Sequence, residues 1–288
     1  MQNLKDIRKR IASVKSTKQI TQAMKMVAAA KLRKVQNRII QLRPYTYKLK
    51  SLLEVIIANF EGELNNPLFR QRELKKVLLI VISANRGLCG AFNTNVVRKA
   101  ELVINEYTQQ GINVDIFAIG KKASFYFSRH GYNVIKENNS AIEIVEFEKA
   151  KILAQEMIDS FVSGKYDRID IVYNSFKTPG SQLIIHEQFL PIEKPEGEPN
   201  LDFIFEPDLQ TIIDRLVLGY LLFAEFFYYL LDSYAAEQGA RMTAMHKATD
   251  NAQEMIRQLT LEYNKARQAA ITKEIIEIVS GAEALKGL

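Results

Sequence analysis

Apolar residues recur at Leu4, Ile7, Ile11 and Val14, and again at Leu32, Val35, Ile39 and Leu42, in steps of three and four. Such steps set them along one seam of an α-helix. From residue 3 to about 58 the chain has one proline, Pro44, and no glycine, so the pattern predicts a single long helix. Between the two runs the same register places Lys18, Thr21 and Lys25 on the seam, with Ile20, Met24 and Val27 beside it. The surface packed against the helix must change character there. At the other end, Asp208 is placed to cap a helix, and no proline follows it. Only Gly219 and Gly239 interrupt the interior before Gly281, which predicts one helix of about 75 residues. Its first half is bulky along one face, with Leu216, Tyr220, Phe223, Phe227 and Leu230. Its second half is slimmer, with Met242, Met245, Ala252, Ile256, Leu259, Tyr263, Ala266 and Ala270.

At 1.5 Å per residue these helices would be roughly 80 and 110 Å long, far beyond the helices of an ordinary globular domain. Paired antiparallel, with residue 58 near residue 209, the first would run out opposite about residue 263. The last turns would then project alone. They carry Ile271, Ile275, Ile278, Val279 and Leu285, which a solitary helix does not leave in water over such a length. A sleeve of other subunits is implied.

The middle of the chain changes period. KKVLLIVIS (75–83), VDIFAIG (114–120), RIDIVYNSF (168–176) and QLIIHEQFLPI (182–192) are short apolar runs that read as strands. Helical stretches near 91–110, 121–130 and 147–163 alternate with them, which predicts a small, mostly parallel sheet. PIEKPEGEPN (191–200) reads as a surface loop leading to the last helix. The expected architecture is a long antiparallel two-helix coiled coil made from both termini (1–60 and 208–288), with a Rossmann-like α/β domain (75–205) inserted between them.

Charge sharpens this picture. Residues 1–50 hold 14 Lys and Arg against one acid, Asp6, whereas from Asp208 onward 8 basic residues face 11 acidic ones. Ends of opposite sign suit antiparallel pairing, and the surplus positive charge is left for an acidic partner. A basic helix also invites nucleic acid, but the Lys and Arg residues spread around a helix that has its own seam, without the one-sided Asn, Gln and Arg cluster that base reading needs. The most apolar stretch, Val217 to Leu231, is 15 residues long and contains Glu225, which is too short and polar to cross a bilayer. The start, MQNLKDIRKRIASV, lacks the apolar core of a signal peptide. With a single cysteine, Cys89, no disulfide can form within the chain, and a reducing compartment is expected.

Candidate chemistry is sparse. ISANRGLCGAFN (82–93) is a glycine-bearing turn opening a helix, a place where backbone N–H groups could meet a phosphate. It lacks GK[ST] and GxGxxG, so a structural turn with Cys89 packed inside is the simpler reading. His130, His186 and His246 lie in three separate segments with no metal-ligand spacing, and no nucleophile, base and acid converge. Glu143, Glu146 and Glu148 precede a helix, where they suit its dipole. No cofactor or metal is expected.

Three blocks resemble one family, the γ subunit of rotary F-type ATP synthases. They are ITQAMKMVAAAKLRK (20–34), ISANRGLCGAFN (82–93), and the pair GARMTAMHKATDNAQEMI (239–256) and LTLEYNKARQAAITKEIIEIVSGAEAL (259–285). The resemblance runs end to end. It implies a non-catalytic central stalk that turns inside a ring of three α and three β subunits, with the tip Ile271, Ile275, Ile278 and Val279 in a bearing. The inserted domain would dock with the ε subunit on the membrane c ring, giving a peripheral place at the cytoplasmic face of a bacterial plasma membrane, with no nucleic acid. By position, Met24 and Lys25, then Glu237, Arg241, Arg267, Gln268 and Thr272, match residues that contact the ring, and Lys18 matches charge that meets an acidic β loop. The family turn commonly has Asp where this chain has Asn85 and Gly where it has Ala91, which bears on the turn's hydrogen bonds. A coiled-coil adaptor whose α/β domain binds a small molecule is the rival reading.

Overall fold

The structure, a computed structural model, describes residues 4–59, 66–143, 145–193, 206–216 and 220–286, with side chains as far as residue 282. Two compact units result: residues 28–243 form one, and residues 1–27 with 244–288 form the other. Helix α1 (Leu4–Ala58) begins in the second unit and ends in the first, and α6 (Leu222–Lys286) does the reverse.

The larger unit is built on a five-stranded sheet of β1 (Lys76–Ile82), β2 (Asn113–Ile119), β3 (Val134–Asn138), β4 (Arg168–Thr178) and β5 (Ser181–Leu190). The order is β3-β2-β1-β4-β5, with β5 antiparallel in a hairpin and the rest parallel. The chain moves outward from β1 through α2 (Phe92–Gln109) and α3 (Lys121–Arg129), then reverses through α4 (Phe147–Val162) to β4. Right-handed crossovers in opposite directions put their helices on opposite faces. Accordingly Val77, Leu79 and Val81 pack against α2 and α3, while Leu78, Ile80 and Ile82 pack with α4, the later turns of α1 and the first turns of α6. Burial on both faces explains why β1 reads as an unbroken apolar run. Each such fully buried aliphatic side chain contributes about 1.5–3 kcal/mol.

The four predicted strands and three predicted inner helices are all present, within two residues at most ends. Strand β3 was not among the strands predicted. It lies at the sheet's edge, with alternate residues exposed, so its sequence VIKEN carries only half an apolar signal. Of the predicted C-terminal helix, α5 (Leu209–Leu216) and α6 are described, and residues 217–219 between them lie outside the described residues. Asp208 does cap α5, accepting from the Thr211 N–H at 2.8 Å and the Thr211 hydroxyl at 2.7 Å. Most of the proline-bearing loop from residue 194 onward, and the side chain of Leu285, lie outside the described residues.

Two acids interrupt the apolar strands, and each anchors a polar cluster. Asp170 on β4, 0% exposed, accepts from Arg168 Nε at 2.7 Å and from the Tyr107 hydroxyl at 2.5 Å, and pairs with His186 Nε2 at 2.8 Å. Burial pushes its carboxyl up, but those partners more than offset it and hold the group below its ordinary range. Asp115 on β2 accepts from Tyr166, Asn133 and Lys76 in the same manner.

Candidate functional site: the glycine turn and the paired helices

The carboxyl ends of parallel strands, where such a sheet reverses direction, form the crevice in which open α/β sheets take ligands. Here that crevice lies between β1 and β4, and the residues after β1 are the turn 82–93. Leu88 and Gly90 take positive φ, 62° and 60°, which lets the chain fold back tightly before α2. Asn93 accepts from the Ala84 N–H at 2.9 Å and donates to Cys89 Sγ at 3.2 Å. Cys89 is 1% exposed, and burial raises its thiol pKa. That is the environment of a packing residue and not of a nucleophile.

Asn85 bridges outward from the turn. Its Oδ1 accepts from the Lys121 N–H at the start of α3 at 3.1 Å, and its Nδ2 donates to the Asn139 carbonyl at 2.7 Å. An amide supplies both the donor and the acceptor, whereas an aspartate supplies only acceptors. Asn85→Asp should therefore lose the Asn139 bond, face a carboxylate with a carbonyl, and lower stability by about 1–2 kcal/mol in urea unfolding. Beside it, Gly120 takes φ 97°, and a Cβ there would meet the Ser83 carbonyl oxygen at 2.1 Å.

Helix α6 fills the crevice. Ala236 and Ala240 pack against Ala84, Cys89 and Phe92, and the Phe176 N–H donates to Asp232 Oδ1 at 3.2 Å. Gly239 lets the helix approach closely, because a Cβ would sit 3.0 Å from Phe176 and 3.1 Å from Pro179. Glu237 and Arg241, expected as outward contacts, lie here. Arg241 Nη1 donates to Glu237 at 2.5 Å, and its Nη2 reaches the carbonyls of Arg86 at 3.3 Å and Gly87 at 3.4 Å. Glu237 is 6% exposed. Its carboxyl is pushed up by burial and pulled partly back by Arg241.

A carboxyl with a raised folded-state pKa contributes its stability below its unfolded pKa and loses it as pH rises through the folded value. Arg241→Ala removes the counterion and raises that value further. The variant is expected to lose about 3 kcal/mol at pH 8 but only about 1 at pH 5, read from urea unfolding at the two pH values.

In the smaller unit, residues 4–27 of α1 and 244–282 of α6 pack antiparallel. Ile7, Met245, Ala252 and Leu259 are buried in the seam. The polar seam positions are met in kind: Lys18 Nζ donates to Gln253 at 2.5 Å, Thr21 and Thr249 share a hydroxyl bond of 2.9 Å, and Lys25 Nζ lies 3.4 Å from His246 Nδ1. Met24 and Lys25 are half-buried, while Ile20, Met26 and Val27 are exposed. Arg267, Gln268 and Thr272 are exposed on α6. From Ala269 to Ala282 every residue is exposed, including Ile271, Ile275, Ile276, Ile278 and Val279. The positions expected to contact a ring therefore fall into two groups, Glu237 with Arg241 in one unit and the remainder in the other. Residue types alone did not single out the Thr21–Thr249 pair or the Asp170 cluster, although an acid inside an apolar strand is a legible signal for the latter. Among the described residues no group of three His, Cys, Asp or Glu could hold a metal ion.

The profile of the ATP synthase family matches residues 3–285. Proteins named ATP synthase gamma chain are 49% identical in Flavobacterium psychrophilum and 48% in Christiangramia forsetii, each aligned over 100% of both chains. The Cytophaga hutchinsonii protein of that name is 45% identical over 99% of each. Among solved structures, a chain of the Euglena gracilis mitochondrial ATP synthase matches with a TM-score of 0.71 at 21% identity, covering 98% of this chain and 94% of that one. A chain from the central stalk and c ring of the Tetrahymena thermophila enzyme matches with a TM-score of 0.59 at 24% identity, covering 80% and 99%. At these identities the structural likeness speaks for the fold. With a family match along nearly its whole length and bacterial relatives close to half identical, the chain belongs to the ATP synthase gamma chain family.

Proposed function

We propose that this chain is the central stalk of a rotary ATP synthase, a shaft that couples the turning of a membrane c ring to the catalytic sites of an α3β3 ring. The observation that carries this reading is the exposed stretch of α6 from Ala269 to Ala282. Its five large aliphatic side chains would be untenable in water unless a surrounding sleeve covered them. The basic stripe on α1 supplies charge for an acidic loop of the ring. In this reading the helix pair is a coiled coil, and the sheet is a Rossmann-like domain that stands outside the ring and docks with the ε subunit on the c ring.

Lys18, Met24, Lys25, Arg267, Gln268 and Thr272 touch the ring, and Glu237 acts through Arg241. The chain has no catalytic site of its own. Support for this comes from the crevice at the strand ends, where Ala236, Ala240 and Arg241 stand in the space a ligand would take. The chain is peripheral to the cytoplasmic face of the membrane; among its described residues no helix is long and apolar enough to cross one.

The test is to co-express the α and β subunits with and without this chain, weigh the native complexes and assay ATP hydrolysis. A complex of three α, three β and one copy of this chain that hydrolyses ATP is expected. Absence of any complex would favour a static adaptor, and ATP hydrolysis by the purified chain alone would overturn the reading.

A further inference from the structure

Within the sheet-bearing unit, Glu225 and Asp232 stand seven residues apart on α6, and Arg43 and Lys50 stand seven apart on α1. In an antiparallel helix pair a step of seven on both helices returns to the same facing relation. Lys50 Nζ meets Glu225 at 2.7 Å, so Arg43 is placed toward Asp232 as Lys50 is toward Glu225. The second pair is nevertheless open. Asp232 is 3% exposed, its Oδ1 accepts the Phe176 N–H at 3.2 Å, and its Oδ2 accepts nothing. Arg43 is exposed and is held instead by the Tyr228 hydroxyl, one helical turn before Asp232.

A buried carboxylate with a bare oxygen is costly, whereas the neutral acid is far less so. The groups that face Asp232 are Arg43 on α1, Tyr173, Ser175 and the Phe176 N–H on β4, Glu187 on β5, and Tyr228 on its own helix. Burial pushes the carboxyl up and Glu187 adds to the push, while the Ser175 hydroxyl, the Phe176 N–H and Arg43 pull it partly back. Neutral Asp232 has no charge to draw Arg43 from Tyr228. Ionised, it presents a bare negative charge about 5 Å along the helix from a guanidinium on a long flexible stem.

We propose that Arg43 and Asp232 form a proton-operated latch between α1 and α6. With Asp232 protonated, Arg43 stays at Tyr228. When the carboxyl gives its proton to solvent, the guanidinium moves one turn along α6 onto Oδ2, adding a second clamp beside the one that Lys50 and Glu225 already make. All of these residues belong to the sheet-bearing unit, and the latch does not depend on the rotary reading.

The test is a double-mutant cycle in the full-length chain: parent, Arg43→Met, Asp232→Asn and the two together, unfolded in urea at pH 4.5 and pH 8 and followed by near-ultraviolet circular dichroism. Coupling between the two sites should be absent at pH 4.5 and about fivefold in the folding equilibrium constant at pH 8, the size expected of a pair with one exposed partner. A carboxyl raised in the folded state lends its stability below the unfolded pKa near 4 and loses it as pH rises through the folded value. The latch lowers that folded value, so Arg43→Met should steepen the loss between the two pH values in the parent and leave it unchanged in Asp232→Asn. Arg43→Lys, which keeps a cation, should retain most of the coupling. Equal coupling at both pH values would mean a static pair, and no coupling at pH 8 would mean no pair; either overturns the proposal. Should Asp232→Asn fail to fold, the stability profiles of Arg43→Met and Arg43→Lys decide by themselves, divergence above pH 4.5 supporting the latch and parallel profiles overturning it.

Discussion

Asp170→Ala is expected to lower the stability of the sheet-bearing unit by about 3 kcal/mol at pH 7, because it removes the shared acceptor of Arg168, Tyr107 and His186 from a fully buried position. Arg168 and His186 are 26% and 22% exposed at their side chains, so water can relieve part of the loss, which keeps the figure at the low end for a broken buried pair. The pH dependence has a definite sign. Asp170 is held below its ordinary pKa, so its contribution is present above the unfolded value near 4 and is lost as pH falls through the folded one. The gap between parent and variant should close in acid. Urea midpoints at pH 7 and pH 3.5, followed by near-ultraviolet circular dichroism, measure it; an equal gap at both would mean that the carboxylate charge is irrelevant.

Ending the chain after Ala270 should have the largest effect on function. It removes Ile271, Ile275, Ile276, Ile278 and Val279, all exposed and none a member of the sheet's core. The larger unit should unfold as before. The yield of complex with α and β subunits, or the hydrolysis coupled to it, should fall at least about tenfold, which needs only about 1.4 kcal/mol of lost apolar contact. Full assembly and full coupling without these residues would remove the main support for a sleeved tip.

The α1 seam and strands β1, β2 and β4 were legible because burial on one stripe or on both faces dictates residue type at every step. β3 was not, since an edge strand satisfies half its surface with water and needs few apolar residues. Lys18, Thr21 and Lys25 were placed on the seam correctly by their spacing, and the groups that answer them could be found only by bringing residues 246–253 alongside. Glu237 and Arg241 show the limit most plainly. A Glu and an Arg four apart on a helix look like a surface pair, and only the packing of α6 over the turn reveals that Arg241, paired with Glu237, holds the Arg86 and Gly87 carbonyls.

The division into two units also sets a timetable. Residues 28–243 contain everything needed to close the sheet and its two cores, so this unit can fold while synthesis continues. The first 27 residues have their partners only from Ala244 onward. At 5–20 residues per second, Ile7 and Val14 wait on the order of ten to forty seconds, with a helix seam already made, before the part of α6 that covers them leaves the ribosome. A nascent basic helix with an open apolar stripe is a target for any passing surface. The polar residues at Lys18, Thr21 and Lys25 break that stripe in the middle, and so make the unfinished chain a poorer substrate for the wrong partner than an unbroken seam would be.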